Sequence, residues 1–380
     1  MSGNNLNKIQ KAAVESIDGP ILIFAGAGSG KTRVLTHKMY FLINENHYKP
    51  EDILAVTFTN KAAKEMKERV MELLKTDNLP ITIGTFHSVF ARLLRREAKY
   101  LNISSHFAIY DVQDQLDLLK VILKNLNITK DQITPNQARN QISYLKNKMI
   151  MPEAQSRKAR TLIEKKLVEI YSTYQKALRD NDALDFDDLL LLPIELFDEN
   201  PKILAKYQRK WKYILVDEYQ DTNRPQFYLL TMLAKKNEQI CVVGDDDQSI
   251  YGWRGADVTN ILDFEKFFPS CRIFTLEKNY RSTQQILDAA TAVVTHNDKR
   301  AKKELVAENG EGELLGLFET RDELEEADAI ISALEKEIKI NKRTFSDFAV
   351  LYRTNAQSRA LEDSFRRIGI PYNLVGSIRF

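Results

Sequence analysis

A lysine and a threonine that close a glycine-rich run are the first residues whose types and spacing suggest chemistry. Residues 25–32 read Ala-Gly-Ala-Gly-Ser-Gly-Lys-Thr and directly follow an apolar run at 21–24. Glycine permits backbone conformations in which successive N–H groups point at phosphate oxygens. Lys31 would then reach the β- and γ-phosphates of a nucleotide, and the Thr32 hydroxyl would ligate Mg²⁺. The alternative is a glycine-rich turn that binds nothing.

Two adjacent carboxylates at the end of a second apolar run complement this loop. Asp217 and Glu218 follow the run at 213–216. Neighbouring carboxylates beside an apolar strand are unfavourable unless a cation or a proton transfer uses them. Asp217 can hold Mg²⁺ through water opposite Thr32, and Glu218 can polarise the water that attacks the γ-phosphate. Together with the phosphate loop, this pair predicts a nucleotide site.

Four more polar residues stand where a nucleotide could use them. Gln10 precedes the phosphate loop, and its amide could read the edge of adenine. Gln248 follows an apolar run at 239–244 and could sense the γ-phosphate. Tyr280 could pack on the adenine ring, and Arg281 could reach a phosphate from the opposite side of a cleft. Taken alone, a surface glutamine such as Gln10 is more often simply solvated.

An aromatic pair in the loop after residue 248 suggests a second ligand. Tyr251 and Trp253 alternate with small residues and are followed by Arg254. Flat rings and a cation in a loop are suited to stacking against unpaired bases. A tryptophan buried in a corner of the fold is the competing interpretation.

The elements that position these residues form an alternating pattern. Apolar runs at 21–24, 53–58, 81–86, 213–216, 239–244 and 273–276 alternate with helical segments. This pattern predicts a parallel sheet covered on both faces, with ligands at the carboxyl ends of its strands. Phe58, Thr59, Phe86 and His87 stand at such ends, although capping and packing could equally explain them.

The segment 111–204 interrupts this pattern. It reads as helices at 113–126, 135–148, 160–180 and 186–197, and therefore as a helical domain inserted between strands. Residues 136–179 contain ten Lys or Arg and three Asp or Glu, which favours a groove for a phosphate backbone over a solvated face. The acidic run at 185–188 reads as a helix start rather than a metal site.

A second α/β pattern follows residue 277. It predicts strands at 314–318, 348–352 and 372–375, and helices at 322–339 and 356–368. We therefore expect a first domain at 1–110 and 205–276, the helical insert at 111–204, and part of a further domain at 277–380.

Composition places few limits on function. The chain has 380 residues, a formal net charge of +2 and two cysteines. The charge alone does not indicate a nucleic acid, and the cysteines form neither a metal-binding pattern nor a disulfide framework. Because the N-terminus lacks a targeting pattern and no segment could span a bilayer, we expect a cytoplasmic protein without a membrane partner.

Eight short motifs follow one another along the chain. They read Leu-Asn-x-x-Gln at 6–10, Ala-Gly-Ala-Gly-Ser-Gly-Lys-Thr at 25–32, Thr-Phe-Thr-Asn-Lys-Ala-Ala at 57–63, Gly-Thr-Phe-His at 84–87, Leu-Asp-Phe-Asp-Asp at 184–188, Val-Asp-Glu-Tyr-Gln-Asp-Thr-Asn at 216–223, Gly-Asp-Asp-Asp-Gln-Ser-Ile-Tyr at 244–251 and Asn-Tyr-Arg-Ser at 279–282. This order resembles the Rep, UvrD and PcrA helicases of superfamily 1 along the whole chain. Family members commonly carry alanine at the place of Ala25, where the generic phosphate loop begins with glycine.

The resemblance implies a RecA-like P-loop NTPase fold with a helical insert and part of a second RecA-like domain. It implies nucleotide contacts at Gln10, Ala25, Gly26, Ala27, Gly28, Ser29, Gly30, Lys31, Thr32, Arg33, Tyr280 and Arg281. It implies catalytic roles for Lys31, Glu218, Gln248 and Arg281, and Mg²⁺ ligation by Thr32 and Asp217. It implies DNA contacts at Phe58, Thr59, Asn60, Thr85, His87, Tyr251, Trp253, Arg254, Arg353 and Asn355.

The family uses ATP and Mg²⁺ to move 3′-to-5′ along single-stranded DNA. The expected partners are therefore single-stranded DNA and junctions between single and double strands, together with unidentified replication or repair proteins. Family members continue well past residue 380, so we expect this chain to bind nucleotide and to hydrolyse it poorly. The alternatives are a non-catalytic, ATP-switched DNA-binding module, the helicase subunit of a recombination nuclease, and RNA as the substrate.

Overall fold

The structure is a computed structural model that describes residues 6–375, apart from the side chain of Arg254. The chain divides into two compact units, Met1–Gly312 and Glu313–Phe380. The strands of the described part are β1 (Ile21–Ala25), β2 (Ile53–Thr57), β3 (Thr82–Thr85), β4 (Ala108–Tyr110), β5 (Ala183–Asp185), β6 (Tyr213–Val216), β7 (Ile240–Gly244), β8 (Arg272–Leu276), β9 (Lys278–Asn279) and β10 (Val306–Ala307).

The helices of the described part connect these strands or form the insert. They are α1 (Lys8–Glu15), α2 (Lys31–Asn44), α3 (Asn60–Leu74), α4 (Phe86–Glu97), α5 (Val112–Asn125), α6 (Pro135–Asn147), α7 (Pro152–Ser156), α8 (Leu162–Asp180), α9 (Asp188–Glu199), α10 (Pro201–Lys210), α11 (Arg224–Ala234), α12 (Thr259–Leu262), α13 (Phe264–Phe267), α14 (Gln284–Val294), α15 (Glu323–Asn341) and α16 (Ser358–Ile368).

Six parallel strands form the central sheet, in the order β3-β2-β6-β7-β1-β8. In this register Leu22 of β1 pairs with Val242 of β7 on one side and with Ile273 of β8 on the other. Strands β1, β2, β6 and β7 are buried along their whole length. Continuous apolar runs of this kind are typical of a parallel sheet covered on both faces, and the predicted parallel sheet is therefore confirmed.

Alternate side chains of each strand enter different helical layers. Leu22 and Phe24 pack in a core with α4, α9, α10 and α11, whereas Ile21, Ile23 and Ala25 pack in a second core with α1, α2 and α3. This arrangement follows from the two-residue period of a strand, which points successive side chains to opposite faces. The two layers hold the carboxyl ends of all six strands at one edge.

The insert is helical with one exception. Helices α5, α6 and α8 share an apolar core, as the sequence predicts. However, β5 lies within the insert and pairs in parallel with β4, so the expectation of an all-helical insert is wrong at this point. Three residues are too short a run to stand out from a helical sequence pattern.

The second unit contains α15 and α16, which pack together through Ile331, Leu334 and Phe365. The predicted strands at 314–318, 348–352 and 372–375 are wrong, because the structure shows no β-strand among the described residues of this unit. Phe348 and Val350 contact the helices, whereas Leu317 is 96% exposed. A strand requires hydrogen bonds to a neighbouring strand, and a local apolar pattern does not supply that neighbour.

Within the described residues, no helix combines the length and apolar character needed to cross a membrane.

Candidate nucleotide and nucleic-acid site

The strand order brings the predicted motifs to one edge of the sheet. The phosphate loop follows β1, the acidic pair follows β6, and β7 lies between these two strands and leads into the loop of Gln248. In a parallel sheet, the segments that leave adjacent strands emerge at the same edge. Residues separated by almost 200 positions in the sequence therefore become neighbours.

Protein donors hold the carbonyl side of the phosphate loop. Gly26 O accepts from Ser29 N and Oγ, and Ala27 O accepts from Asn279 Nδ2 at 2.5 Å. Gly28 O accepts from Tyr280 N at 3.0 Å, and Ser29 O accepts from Gln10 Nε2 at 2.9 Å. With these four carbonyls engaged by protein groups, the N–H side of the loop is the side suited to an anion.

Two glycines of the loop require their special backbone. Gly28 has φ +69°, and a Cβ there would lie 2.7 Å from Asn279 Nδ2. Gly30 has φ +90° and is the N-cap of α2, which begins at Lys31. Both residues are in the left-handed region that favours glycine. The loop therefore delivers the N-terminus of a helix, with its positive potential, to the phosphate position. Ala25 ends β1, Ala27 lies within the turn and Arg33 lies in the first turn of α2, and their nucleotide contacts stay predictions.

Lys31 and Glu218 meet across the site. Lys31 Nζ lies 2.5 Å from Glu218 Oε2, and Gln220 Nε2 donates to the same oxygen at 2.9 Å. Glu218 has φ +50°, which is uncommon for a residue with a side chain and is a feature of constrained functional positions. The predicted lysine and the predicted base thus share one hydrogen-bonded cluster.

Asp217 is the buried member of the acidic pair. Burial and the neighbouring Glu218 carboxylate raise the pKa of Asp217 to about 7, whereas Lys31 and the Thr32 hydroxyl act in the opposite direction. A buried carboxylate beside a hydroxyl is a donor set suited to a hard cation, so these residues fit Mg²⁺. Bound Mg²⁺ would neutralise charge on phosphate oxygens, and Thr32 and Asp217 would hold it.

The residues predicted to contact adenine lie together, but their polar groups bind one another. Gln10 is fully buried, and its Oε1 accepts from Asn7 N at 3.0 Å in a capping box of α1. Asn7 Nδ2 in turn donates to the Tyr280 hydroxyl at 3.0 Å. In this arrangement, both ends of the Gln10 amide bind protein groups, and Gln10 supports the loop through Ser29.

Arg281 lies beside the phosphate loop. Its Cβ is 2.6 Å from the position that a Cβ on Gly28 would occupy, and its N–H donates to Asn279 Oδ1 at 2.8 Å. Asn279 is fully buried, so one amide both binds the phosphate loop and fixes the turn that carries Arg281.

Gln248 lies in an ionic cluster at the end of β7. Its Nε2 donates to Asp245 Oδ2. Lys303 Nζ lies within 2.8 Å of a carboxylate oxygen of each of the aspartates 245, 246 and 247. These three carboxylates lie close enough together to suit a cation, and the Lys303 ammonium occupies that role here.

Aromatic rings gather at the same edge of the sheet. Phe58 and Tyr251 stack with centroids 5.1 Å apart and an interplanar angle of 22°. Trp253 lies 6.5 Å from Tyr251 and is 73% exposed, so the expectation of a tryptophan buried in a corner is wrong. Thr59 caps α3 by accepting from Ala62 N, and the neighbouring Asn60 is exposed.

Thr85 and His87 lie at the start of α4. Thr85 is the N-cap, and its Oγ1 accepts from Ser88 N at 3.2 Å. The His87 ring lies 5.0 Å from the ring of Phe186 near the end of the insert. Burial lowers the pKa of His87 to about 4, so its imidazole is neutral near pH 7.

Three further residues are predicted to contact DNA. Arg353 and Asn355 belong to the second unit, where Arg353 N donates to Gln357 Oε1 at 3.0 Å and Asn355 begins a short 3₁₀ turn. The Arg254 side chain lies outside the described residues.

Three contributors to this edge are absent from the sequence-based prediction. Gln220 and Asn279 are fully buried amides inside predicted motifs, and Lys303 comes from a segment without a motif. The signal for the first two was their position, since Gln220 lies two residues from Glu218 and Asn279 lies two residues from Arg281. Lys303 had no signal, because only tertiary structure brings it to the aspartates.

Comparison with known proteins agrees with this geometry. The sequence model of the UvrD/REP helicase N-terminal domain matches residues 6–269, and that of the UvrD-like helicase C-terminal domain matches residues 274–380. The chain belongs to the UvrD/REP helicase family. This membership confirms the resemblance inferred from the eight motifs.

Several relatives in this helicase family carry one name, ATP-dependent DNA helicase PcrA. The chain is 47% identical over 377 residues to that of Bacillus subtilis, covering 99% of this chain and 51% of the relative. It is 46% identical to a Staphylococcus aureus relative and 44% identical to that of Leuconostoc citreum, covering 99% of this chain and 52% and 50% of theirs. The chain thus spans about half the length of the curated relatives it matches.

Proposed function

We propose that this UvrD/REP family protein hydrolyses ATP to move 3′-to-5′ along single-stranded DNA and to unwind duplex DNA in replication or repair. The observation that carries the proposal is the 2.5 Å contact between Lys31 of the phosphate loop and Glu218. Both residues lie at the edge of the sheet from which the loop of Tyr251 and Trp253 leaves, which supports a nucleotide site there. The relatives are named ATP-dependent DNA helicases, which supports ATP-dependent action on DNA.

The chemical steps are assigned to the residues around that contact. Lys31 binds the β- and γ-phosphates, and Asp217 and Thr32 hold Mg²⁺. Glu218 accepts a proton from the attacking water, which forms the bond to the γ-phosphorus while the bond to the leaving ADP oxygen breaks. Gln248 and Arg281 stabilise the charge on the transferring phosphoryl group.

The DNA is assigned to the aromatic cluster and its neighbours. Phe58, Tyr251 and Trp253 offer ring faces on which unpaired bases can stack, and stacking tolerates any base. Thr59, Asn60 and Thr85 provide polar groups at the same edge for the backbone. Because these rings lie on loops of the nucleotide-binding sheet, hydrolysis and base contacts can influence each other.

We also propose a domain assignment. Residues 1–110 and 205–276, which contain all six strands of the central sheet, form the ATP-binding motor domain. Residues 111–204 form the helical insert, and residues 277–380 belong to the second motor domain. The division between the two family models, after residue 269 and before residue 274, supports a boundary in this region.

The test measures the ATPase rate of the purified protein with and without oligo(dT), and then strand separation of duplexes with a 3′ or a 5′ tail. Because the 380-residue chain is expected to hydrolyse ATP poorly, its basal rate should be low. We expect single-stranded DNA to raise that rate severalfold, and only the 3′-tailed duplex to be unwound. An ATPase rate that single-stranded DNA leaves unchanged would contradict the motor, and unwinding of the 5′-tailed duplex alone would contradict the direction. Single-stranded RNA of equal length in the same assay decides between DNA and RNA.

A further inference from the structure

The loop at 245–256, which carries Gln248, Tyr251 and Trp253 and is called here the aromatic loop, is bound at both ends to residues 220–223. At its start, Asp245 N donates to Gln220 Oε1 at 2.9 Å, and Ser249 Oγ donates to Gln220 O at 3.2 Å. At its end, Ala256 forms an antiparallel bridge with Asn223. The aromatic loop is therefore fastened to the segment that directly follows Glu218.

The residues that follow the aromatic loop are also hydrogen-bonded to this segment, at Thr222. Asp257 N donates to Thr222 O at 3.0 Å, and Asn260 Nδ2 donates to the same oxygen at 2.9 Å. Thr222 and Asn260 are both buried. Buried hydrogen bonds are electrostatically stronger than exposed ones, so these contacts fasten the segment after the aromatic loop to Thr222.

A single side chain joins this assembly to the reactive carboxylate. The Gln220 amide donates from Nε2 to Glu218 Oε2 at 2.9 Å and accepts at Oε1 from the first residue of the aromatic loop. Gln220 is 1% exposed, and a Cβ on Gly244 would lie 2.6 Å from its Oε1. Because an amide is planar and this one is confined, a shift at Oε1 is transmitted to Nε2.

Lys31 is the second donor to the Glu218 carboxylate. Lys31 Nζ and Gln220 Nε2 both bind Glu218 Oε2. In the proposed function, Lys31 binds phosphates when ATP is present, which draws it from Glu218. Gln220 is then the group on this oxygen that still orients the carboxylate toward water.

We propose that Gln220 is a positioning residue that transmits the state of the aromatic loop to the Glu218 carboxylate. Bases stacked on the aromatic loop would fix the position of the Asp245 N–H group. Through Gln220, that position would determine the orientation of the Glu218 carboxylate, which takes the proton. This inference rests on the proposed function and assigns DNA stimulation of the ATPase to one amide.

The experiment compares Gln220→Met, which keeps the length of the side chain and removes both hydrogen bonds, with the wild-type protein. At saturating oligo(dT), we expect the ATPase kcat to fall about 10- to 100-fold, the range for loss of a hydrogen bond to a charged group. The KM for oligo(dT) is expected to stay within about threefold of the wild-type value, because the buried Gln220 side chain is not accessible to a base. A defect in folding alone would not produce this split.

The matched control is Gln115→Met. Gln115, in the helical insert, is also buried, and its Nε2 donates to Tyr110 O at 3.2 Å, so its loss costs stability. We expect this variant to be destabilised but to keep the ratio of DNA-stimulated to basal ATPase. If both variants lose that ratio equally, the effect is general loosening and the inference fails.

Gln220→Glu supplies an independent measurement. It retains an acceptor for Asp245 N but places a second carboxylate against Glu218, and two carboxylates at this distance share protons. We therefore expect the acid limb of its pH–rate profile to move to higher pH. An unchanged profile together with normal DNA stimulation of Gln220→Met would overturn the inference and leave the proposed function intact. A wild-type ATPase that oligo(dT) does not stimulate would instead overturn the proposed function, and the inference with it.

Discussion

At the scale of single residues, the carboxylate of Glu218 has two partners on one oxygen, the Lys31 ammonium and the Gln220 amide. Two donors on one oxygen orient the carboxylate, and an incoming proton must compete with them for that oxygen. ATP phosphates compete for Lys31. In the proposed function, nucleotide binding itself would therefore free Glu218 to act as a base.

Replacing Glu218 by glutamine tests this role. Glu218→Gln keeps the shape of the side chain but cannot accept the proton, so we expect kcat for ATP hydrolysis to fall by about two to four orders of magnitude. Binding of a fluorescent ATP analogue persists. Glu195→Gln, on α9, is the control and should hydrolyse ATP at the wild-type rate. A Glu218→Gln protein with more than a tenth of wild-type kcat would show that another group is the base.

His87 predicts a pH dependence of stability. Burial lowers its pKa to about 4 in the fold, below the ordinary value of 6.5. The stabilisation from its neutral form is therefore fully present above pH 6.5 and is lost as pH falls from 6.5 towards 4. Allowing for partial solvent exposure, we expect wild type to lose about 1 to 2 kcal/mol more than His87→Gln between pH 7 and pH 5.

Urea unfolding at the two pH values measures this difference. His106→Gln, a change at an exposed histidine, is the control and should follow the wild-type pH dependence. Parallel pH dependences for wild type and His87→Gln would contradict the burial of this imidazole.

At the scale of elements, one buried ion cluster joins α6 of the insert to β5 and α9. Lys146 Nζ lies 2.7 Å from Asp185 Oδ2 and 2.8 Å from Asp188 Oδ1, and all three residues are buried. Burial and the nearby Asp185 raise the pKa of Asp188 to about 6, against the effect of Lys146. Lys146, one of the ten basic residues at 136–179, is therefore a structural link within the protein rather than a DNA contact.

Removing the lysine should therefore destabilise the insert. Lys146→Met leaves two carboxylates buried without their cation, and we expect the free energy of unfolding to fall by about 3 to 5 kcal/mol at pH 7.5. The loss becomes smaller at pH 5, where the carboxylates take up protons. Urea unfolding measures both values, and Lys148→Met at an exposed position is the control. Equal stability of the two variants at pH 7.5 would refute the structural role.

At the scale of the molecule, the unit Met1–Gly312 contains its own core and its own candidate site. The six-stranded sheet, both apolar layers and every contact described between Lys31, Glu218 and Gln220 lie within it. A unit with a complete core is expected to fold alone.

This property predicts the behaviour of a shortened chain. We expect residues 1–312 to fold and to bind a fluorescent ATP analogue with an affinity within about threefold of that of the 380-residue chain. Circular dichroism and fluorescence titration measure fold and affinity. A polypeptide 1–312 that lacks helical signal, or that folds but has lost nucleotide binding, would show that residues after 312 contribute to the site.

The sequence by itself determined the local units of this protein. The strand, glycine turn and helix at 21–44, the acidic pair after β6 and the exposed aromatic residues after β7 follow from patterns among neighbouring residues. Helix and turn preferences act over a few positions, so these units could be predicted. The same patterns wrongly predicted strands at 314–318, 348–352 and 372–375, because a strand depends on a partner elsewhere in the chain.

Tertiary structure alone decided which of these units meet. The order β6-β7-β1 places Glu218 against Lys31, and the fold brings Asn279 to the phosphate loop and Gln220 to Asp245. It also buries Lys146, which lies in a basic stretch of the sequence, in an ion pair with Asp185. These outcomes depend on strand order and burial, which arise from contacts between residues far apart in the chain, and no local pattern encodes them.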